Sequence, residues 1–418
     1  MTGLTLTSQS GKSTTVFSTP QNVEVMHLNG TAEPLATVTV PQDVYTSATA
    51  NFEVSEPYNA PLCVAQGVGD NLFNSAIKLS LNPTVNLPSP ITVTGTVMGL
   101  ALDLEVSPVQ PFNCTSTTGT NSVAATFNLT PVTIAASPTN NTNGKATGLR
   151  GLISAVAADG ASFSVTAVDG PSWQVSAGSS TVFQGITGAS QLAAGLPVDM
   201  DVAIQTDGSL LATRVEVYDP SPANLTVSSG PLVEVPVSVP AVLAVGVEGK
   251  GLLSTGIIEN FSFSTTSFQI SGQLTNLQSL PFTVSFNASN LVPGQNVLFS
   301  THALSNQGGP TYDPATTATL VPQTINGTVS AVSTSGGFTT YTVTLAPYDL
   351  FPDFAVQPGE TNLLSNPNTV IVYADSNTQM LNSSPIAAGS LLRFNGVVFN
   401  DNGTLRMDCI QVNSGVAE

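Results

Sequence analysis

Apolar residues alternate with Ser or Thr at period two along most of the chain. Phe163, Val165 and Ala167 interleave with Ser162, Ser164 and Thr166, and Tyr341, Val343 and Leu345 with Thr340, Thr342 and Thr344. A period of two puts one face of each segment against a core and the other toward solvent, so these segments read as half-buried β-strands. Asp159-Gly160, Asp169-Gly170, Asp207-Gly208 and Asn402-Gly403 between them are the dipeptides that supply positive φ in hairpins. With 35 Gly and 29 Pro punctuating 418 residues, long amphipathic helices have little room. Single helical turns are expected only around 189–194 and 384–388. The fold class predicted is all-β.

The pattern also repeats. Three times an aliphatic residue is followed at the third position by Gly and at the sixth by another aliphatic: Leu192, Gly195, Val198; Leu291, Gly294, Val297; and Ile386, Gly389, Leu392. In the first and third copies a strand, a tight turn and a return strand follow, with Leu210, Ala212, Val215 and Val217 matching Leu405, Met407, Ile410 and Val412. The openings Gly151, Ile153, Val156 and Gly327, Val329, Val332 also correspond. The middle copy is more divergent and its opening is placed at 249–253. Units of this size with five or six strands suit small closed barrels. The expected organisation is a prealbumin- or Ig-like β-sandwich over 1–145, then tandem OB-like barrels over 146–222, 223–322 and 323–418, the last carrying an insertion around 348–367.

Composition narrows what such a protein does. Eight Lys and Arg stand against 26 Asp and Glu, a formal net charge of −18. No basic surface exists to neutralise phosphates, which argues against nucleic acid as a partner. Only 8% of residues are charged, against about 25% in ordinary globular domains, so Ser, Thr, Asn and Gln must make the surface, as in secreted and cell-surface β proteins. The most apolar stretch, 233–247, is broken by Pro236 and Pro240 and carries Glu234, so no membrane insertion is expected. The chain opens with no basic residue and apolar run of a signal segment, which the extracytoplasmic reading takes to be absent from this chain. Of three cysteines, Cys63 and Cys114 are expected to pair, with Cys409 free.

Two resemblances sharpen this. The segment 151–217, opening Gly-Leu-Ile-Ser-Ala-Val and closing Asp-Gly-Ser-Leu-Leu-Ala-Thr-Arg-Val-Glu-Val, resembles the bacterial domain of unknown function 5666, an OB-like β-barrel module. The third copy, 325–412, is similar. The segment 4–54, with Leu-Thr-Ser-Gln-Ser-Gly-Lys-Ser and Val-Pro-Gln-Asp-Val-Tyr-Thr-Ser-Ala, resembles the later part of the domain of unknown function 4382, a prealbumin-like sandwich. That family often precedes the barrel module in secreted or lipid-anchored bacterial proteins, and the match implies a sandwich lacking its first strand. Neither family implies a catalytic residue.

The residues themselves offer little chemistry. The histidines, His27 and His302, fall in different predicted domains, and no Gly-x-Ser-x-Gly elbow exists. Glu24, Glu53, Asp103 and Glu105 fit outward strand positions better than a two-carboxylate glycosidase. Gly11-Lys12-Ser13 has Leu6 where a phosphate loop needs Gly, and reads as a turn. No metal or cofactor site is expected; Asp199-x-Asp201 lacks the further oxygen ligands of a calcium loop, leaving calcium only at adventitious loop carboxylates. Exposed aromatics are the one ligand signal: Trp173, and the cluster of Tyr348, Phe351 and Phe354 in the third-barrel insertion, could stack on a glycan. Two readings stay open. One is a non-catalytic structural or adhesive surface protein that self-associates, in the limit into fibres by strand exchange; the other is a carbohydrate or small-ligand binder using those aromatics.

Overall fold

The computed structural model describes the chain apart from residues 22–31, 54–79, 96–97, 109–122, 133, 135–143, 168–170, 222–224, 236–241, 248, 251–256, 264, 273–276, 303–312, 348, 355–363, 382–384 and 415–418. It is all-β, with 59% of residues in strands and 3% in helix. The N-terminal part holds β1 (Gly3–Ser8), β2 (Ser13–Phe17), β3 (Val44–Glu53), β4 (Ser80–Leu81) and β5 (Thr84–Thr92), ordered β2-β1-β3-β4 with β5 also on β3. An antiparallel pair, β6 (Gly99–Pro108) and β7 (Val123–Val132), packs over this sheet. The alternation predicted from sequence sends Leu4, Leu6, Tyr45, Ala48 and Ile91 from one layer against Phe127 and Leu129 from the other, a sandwich core.

The next unit is a closed barrel of β8 (Lys145–Val156), β9 (Ser162–Thr166), β10 (Ser172–Gln184), β11 (Pro197–Ile204) and β12 (Leu210–Val217), ordered β10-β12-β11-β8-β9. Its third strand closes the ring by running parallel to the fifth, first as Val175↔Leu210 and then, past a break, as Val182↔Arg214. The middle unit contains β13 (Thr226–Glu234), β14 (Val242–Val247), β15 (Gly249–Lys250), β16 (Ile257–Ser262), β17 (Ser267–Ile270), β18 (Asn296–Thr301), β19 (Asp313–Pro314) and β20 (Thr317–Leu320). Here the third and fifth strands are each split in two, yet β16 still pairs parallel with β19 and β17 with β20. The last unit has β21 (Gln323–Ser335), β22 (Phe338–Leu345), the short helix α1 (Leu350–Phe354), β23 (Thr369–Ala374), β24 (Gln379–Leu381), β25 (Leu391–Asp401) and β26 (Thr404–Ser414). There β23 and then β24 run parallel to β26, closing the same ring.

The repeated glycine explains why the three copies share one path. Gly195, Gly294 and Gly389 all adopt positive φ, 88°, 93° and 91°, the left-handed turn that glycine adopts without steric cost. Each then bonds the first strand of its unit from the turn before the fourth. Gly195 N donates to Ile153 O, Gly294 N to Leu232 O and Gly389 N to Val329 O, with return bonds from Ile153 N, Leu232 N and Val329 N. Two residues upstream of these partners stand Gly151, Gly230 and Gly327, opposite Val198, Val297 and Leu392. The middle copy therefore opens at Gly230, not at 249–253 as its sequence suggested.

A second device is common to the three. At the break in the third strand a threonine hydroxyl donates to the fifth strand: Thr181 Oγ1 to Ala212 O at 2.7 Å, Thr266 Oγ1 to Ala315 O at 2.7 Å, and Thr378 Oγ1 to Cys409 O at 2.9 Å. Of the two helical turns expected, a 3₁₀ turn forms at Ala189–Gln191, while residues 385–388 are not helical; α1 was not anticipated. The return strands also match differently. Met407 and Cys409, not Leu405 and Met407, stand where Leu210 and Ala212 do, and Arg214 pairs with Asp201 as Gln411 pairs with Asn395. The whole return strand is thus offset by two positions from the sequence match, which puts Gln411, rather than Cys409, in the place of Arg214.

Candidate functional site

The strongest concentration of polar chemistry lies on the outer face of the first barrel's fourth and fifth strands. Along β11 the residues pointing inward, Val198, Met200 and Val202, join the barrel core, so period two turns Asp199 and Asp201 outward. On β12 the same period turns Arg214 and Glu216 outward. All four are nevertheless buried, because the middle unit covers this face. Arg214 binds three carboxylates: Asp199, Asp201 (Nε to Oδ2, 3.1 Å) and Glu216 (Nη1 to Oε2, 2.9 Å). Arg150 on β8 adds a bond to Asp199 Oδ2 at 3.1 Å and reaches Pro322 O, at the start of the third unit, at 3.2 Å.

Glu216 carries the network into the middle barrel, where Ser271 Oγ donates to its Oε2 at 3.1 Å and Gly272 N to its Oε1 at 2.9 Å. Gln184 Nε2 donates to Gly272 O at 2.9 Å beside it. Burial opposes the charge on Arg214, but the fields of Asp201 and Asp199 outweigh it and hold the guanidinium pKa well above its ordinary value. Glu216 is pushed up, by burial first, against the opposing pull of Arg214. Tyr218, just past β12, is fully desolvated and its hydroxyl pKa is driven up by burial and by Asp199 and Glu216. Such a cluster is a buried charge lattice, with the Arg214 guanidinium locked cationic between its carboxylates.

Next to it lies a histidine and acid pair. His302 Nε2 is 2.9 Å from Asp219 Oδ2, and Ser300 Oγ donates to the same oxygen at 3.0 Å while contacting Thr317 Oγ1 at 2.6 Å. Ser300 is fully buried and bonds the carboxylate rather than the imidazole, so these residues do not form a nucleophile relay. His302 thus ties the second barrel to Asp219, in the segment that follows the first.

The aromatic sites expected from sequence come out differently. Phe351 is completely buried in the core of the third barrel and lies against the Gly294 turn, where an added Cβ would approach its ring to 2.7 Å. It pins the second barrel to the third and offers no exposed face, a correction to its reading as a ligand platform; its place in the insertion suggested an exposed ring, but α1 folds that ring inward. Trp173 is likewise 4% exposed, packed in the first barrel with its indole N–H donating to Pro34 O at 3.0 Å. Tyr348 and the side chain of Phe354 lie outside the described residues, as do Cys63, Cys114, His27 and Glu24. Cys409 is a buried free thiol whose pKa burial pushes up. Gly11 and Lys12 lie in the turn between β1 and β2, Gly11 with φ 82°, and Ser13 opens β2. Asp103 is exposed, 3.8 Å from Arg393.

The barrel itself has relatives. Residues 150–216 match DUF5666, a domain of unknown function. That span runs from Arg150 to Glu216, so the residues of the charge lattice fall inside the matched module. No curated protein matches the chain. Among solved structures, a deletion mutant of the single-stranded DNA binding protein from Thermus aquaticus is 14% identical and aligns over 47% of this chain and 95% of its own. Its TM-score of 0.17 is too low for it to bear on fold or ligand.

The charge lattice was not legible from sequence. Asp199, Asp201, Arg214 and Glu216 look like ordinary outward positions of amphipathic strands; only one signal set them apart, the presence of an arginine in a chain with 8 basic residues in total.

Proposed function

We propose that this chain is a non-catalytic structural or adhesive protein of an extracytoplasmic surface, acting by self-association through strand edges. The observation that carries it is the hairpin of β21 and β22. Residues 330–337 are all exposed, and beyond Val329 the strand pairs only with β22, leaving Ala331 to Ser335 with one open edge. That edge reads Ala-Val-Ser-Thr-Ser. It has no lysine, proline or other charge of the kind that ordinarily blocks pairing with another chain. At the other end of the chain β2, Ser-Thr-Thr-Val-Phe, also pairs on one side only, with β1.

The arginines meanwhile are engaged within the molecule. All four arginines, Arg150, Arg214, Arg393 and Arg406, stand within ion-pair distance of carboxylates of the same chain, which leaves little positive charge to recruit an anionic partner. The resemblance of 4–54 to a family of secreted bacterial sandwiches supports the extracytoplasmic placement and the bacterial source. The test is electron microscopy of the purified protein alongside a variant carrying Val332→Lys and Thr334→Lys. Wild type forms filaments or discrete oligomers and the variant stays dispersed; dispersed monomers of both would refute the reading.

A further inference from the structure

The outer face of the second barrel buries polar groups without giving them a partner. On β18 the inward residues Val297 and Phe299 join the barrel core, as Ala318 and Leu320 do on β20. Period two therefore turns Asn296 and Leu298 outward on one strand, and Thr319 and the following Val321 outward on the other. Leu298 pairs with Thr319, and Val321 N donates to Asn296 O, so the four side chains form a square of cross-strand neighbours. Leu298 and Val321 hold one diagonal and pack in one cluster with Tyr218, which leaves the first barrel just past β12. Asn296 and Thr319 hold the other.

All five of these residues are buried. Yet Tyr218 Oη, Asn296 Oδ1 and Thr319 Oγ1 have no hydrogen-bond partner among the described residues, and neither has Ser229 Oγ, across Leu298 from Thr319. Buried polar atoms are nearly always satisfied, by protein or by ordered water, and here the orphans gather around one leucine. The same place receives both neighbouring barrels. Asn296 Nδ2 and Arg150 Nη2 of the first barrel both donate to Pro322 O, at 3.4 and 3.2 Å, where the chain enters the third.

The chemistry of these atoms defines what would satisfy them. Burial drives the Tyr218 pKa up, so its hydroxyl keeps a proton to give; an amide oxygen only accepts, and the Thr319 hydroxyl does both. The adjoining lattice sets three carboxylates, Asp199, Asp201 and Glu216, against two guanidiniums, Arg150 and Arg214. Its excess negative charge disfavours an anion, and Arg150 on Pro322 O disfavours a metal cation. We propose that this junction of the three barrels is a binding site for ordered water, which bridges Tyr218 Oη to Asn296 Oδ1 and Thr319 Oγ1 and so belongs to the structure. Water is neutral, donates and accepts at once, and makes about three hydrogen bonds at buried sites of this kind.

The test is the sign of a stability change in the full chain. Thr319→Val keeps the shape of the side chain and Tyr218→Phe removes only its hydroxyl, so neither disturbs the apolar packing. With water bound, each variant loses hydrogen bonds and its Tm falls by roughly 2 to 4 °C, and the double variant falls by less than the sum because both hydroxyls hold the same water. With the oxygens merely buried, removing one relieves an unpaired polar group and the Tm holds or rises. A crystal structure of the wild type that resolves ordered solvent is the second reading, expected to show a water oxygen within about 3.2 Å of Tyr218 Oη and of Asn296 Oδ1 or Thr319 Oγ1. An unchanged or raised Tm in either variant, additive losses, or density without that oxygen would overturn the site.

Discussion

Arg214 binds Asp199, Asp201 and Glu216 where all four residues are buried. Removing one partner of such a network leaves the others buried and unpaired, which costs about 3 to 5 kcal/mol. Arg214→Met should therefore lower stability by that amount in denaturant unfolding, far more than removal of the exposed Asp103 from its 3.8 Å contact with Arg393, worth at most about 1 kcal/mol. A second residue-scale prediction follows from Asp408. Its carboxyl holds a proton up to about 7 when folded against 3.8 otherwise, so the folded state binds more protons and stability falls as pH rises between those values, then levels off. Glu216, also raised, acts in the same direction. Asp408→Asn should flatten most of the slope between pH 4 and pH 7; an unchanged slope would show that Asp408 is not the titrating group. Neither residue was recognisable beforehand, because burial of an outward strand position depends on what the next barrel lays over it.

At the scale of the strands, what the sequence showed best was what the backbone demands locally. Leu192-x-x-Gly195-x-x-Val198 and its counterparts were visible because only glycine suits a turn with φ near 90°. The opening of the middle barrel was legible in the sequence, since Gly230, Leu232 and Val235 keep the spacing of Gly151, Ile153, Val156 and Gly327, Val329, Val332; only Pro231 between them is foreign to the other copies. The threonine at the strand break escaped notice in a chain where threonine is everywhere; its meaning lies in the carbonyl it meets on a strand some 30 to 50 residues away. Gly294→Ala tests the turn: positive φ and contact with Phe351 together should cost about 1 to 3 kcal/mol. The analogous Gly389→Ala, with open space around it, should cost less, and equal losses would show that Phe351 does not bear on the turn.

For the molecule as a whole, the barrels follow one another along the chain yet do not behave as beads. Glu216 is bonded into the second barrel, Phe351 of the third lies on its Gly294 turn, and Val397 and Phe399 of the third join the core of the second. Residues 145–414 should therefore unfold in one calorimetric transition, whereas separate transitions for the barrels would contradict the shared interfaces. All-β architecture and barrel modules were legible in period two and in the repeat; how the modules lock together was not, since it rests on faces that look solvent-exposed in each module alone.

The claim that this body exists to assemble is tested most directly by static light scattering over a concentration series. The account predicts that mean mass rises with concentration to tens of micromolar for wild type, and that Val332→Lys with Thr334→Lys abolishes the rise while leaving the melting temperature in place. A wild-type chain that stays monomeric across the series would contradict it.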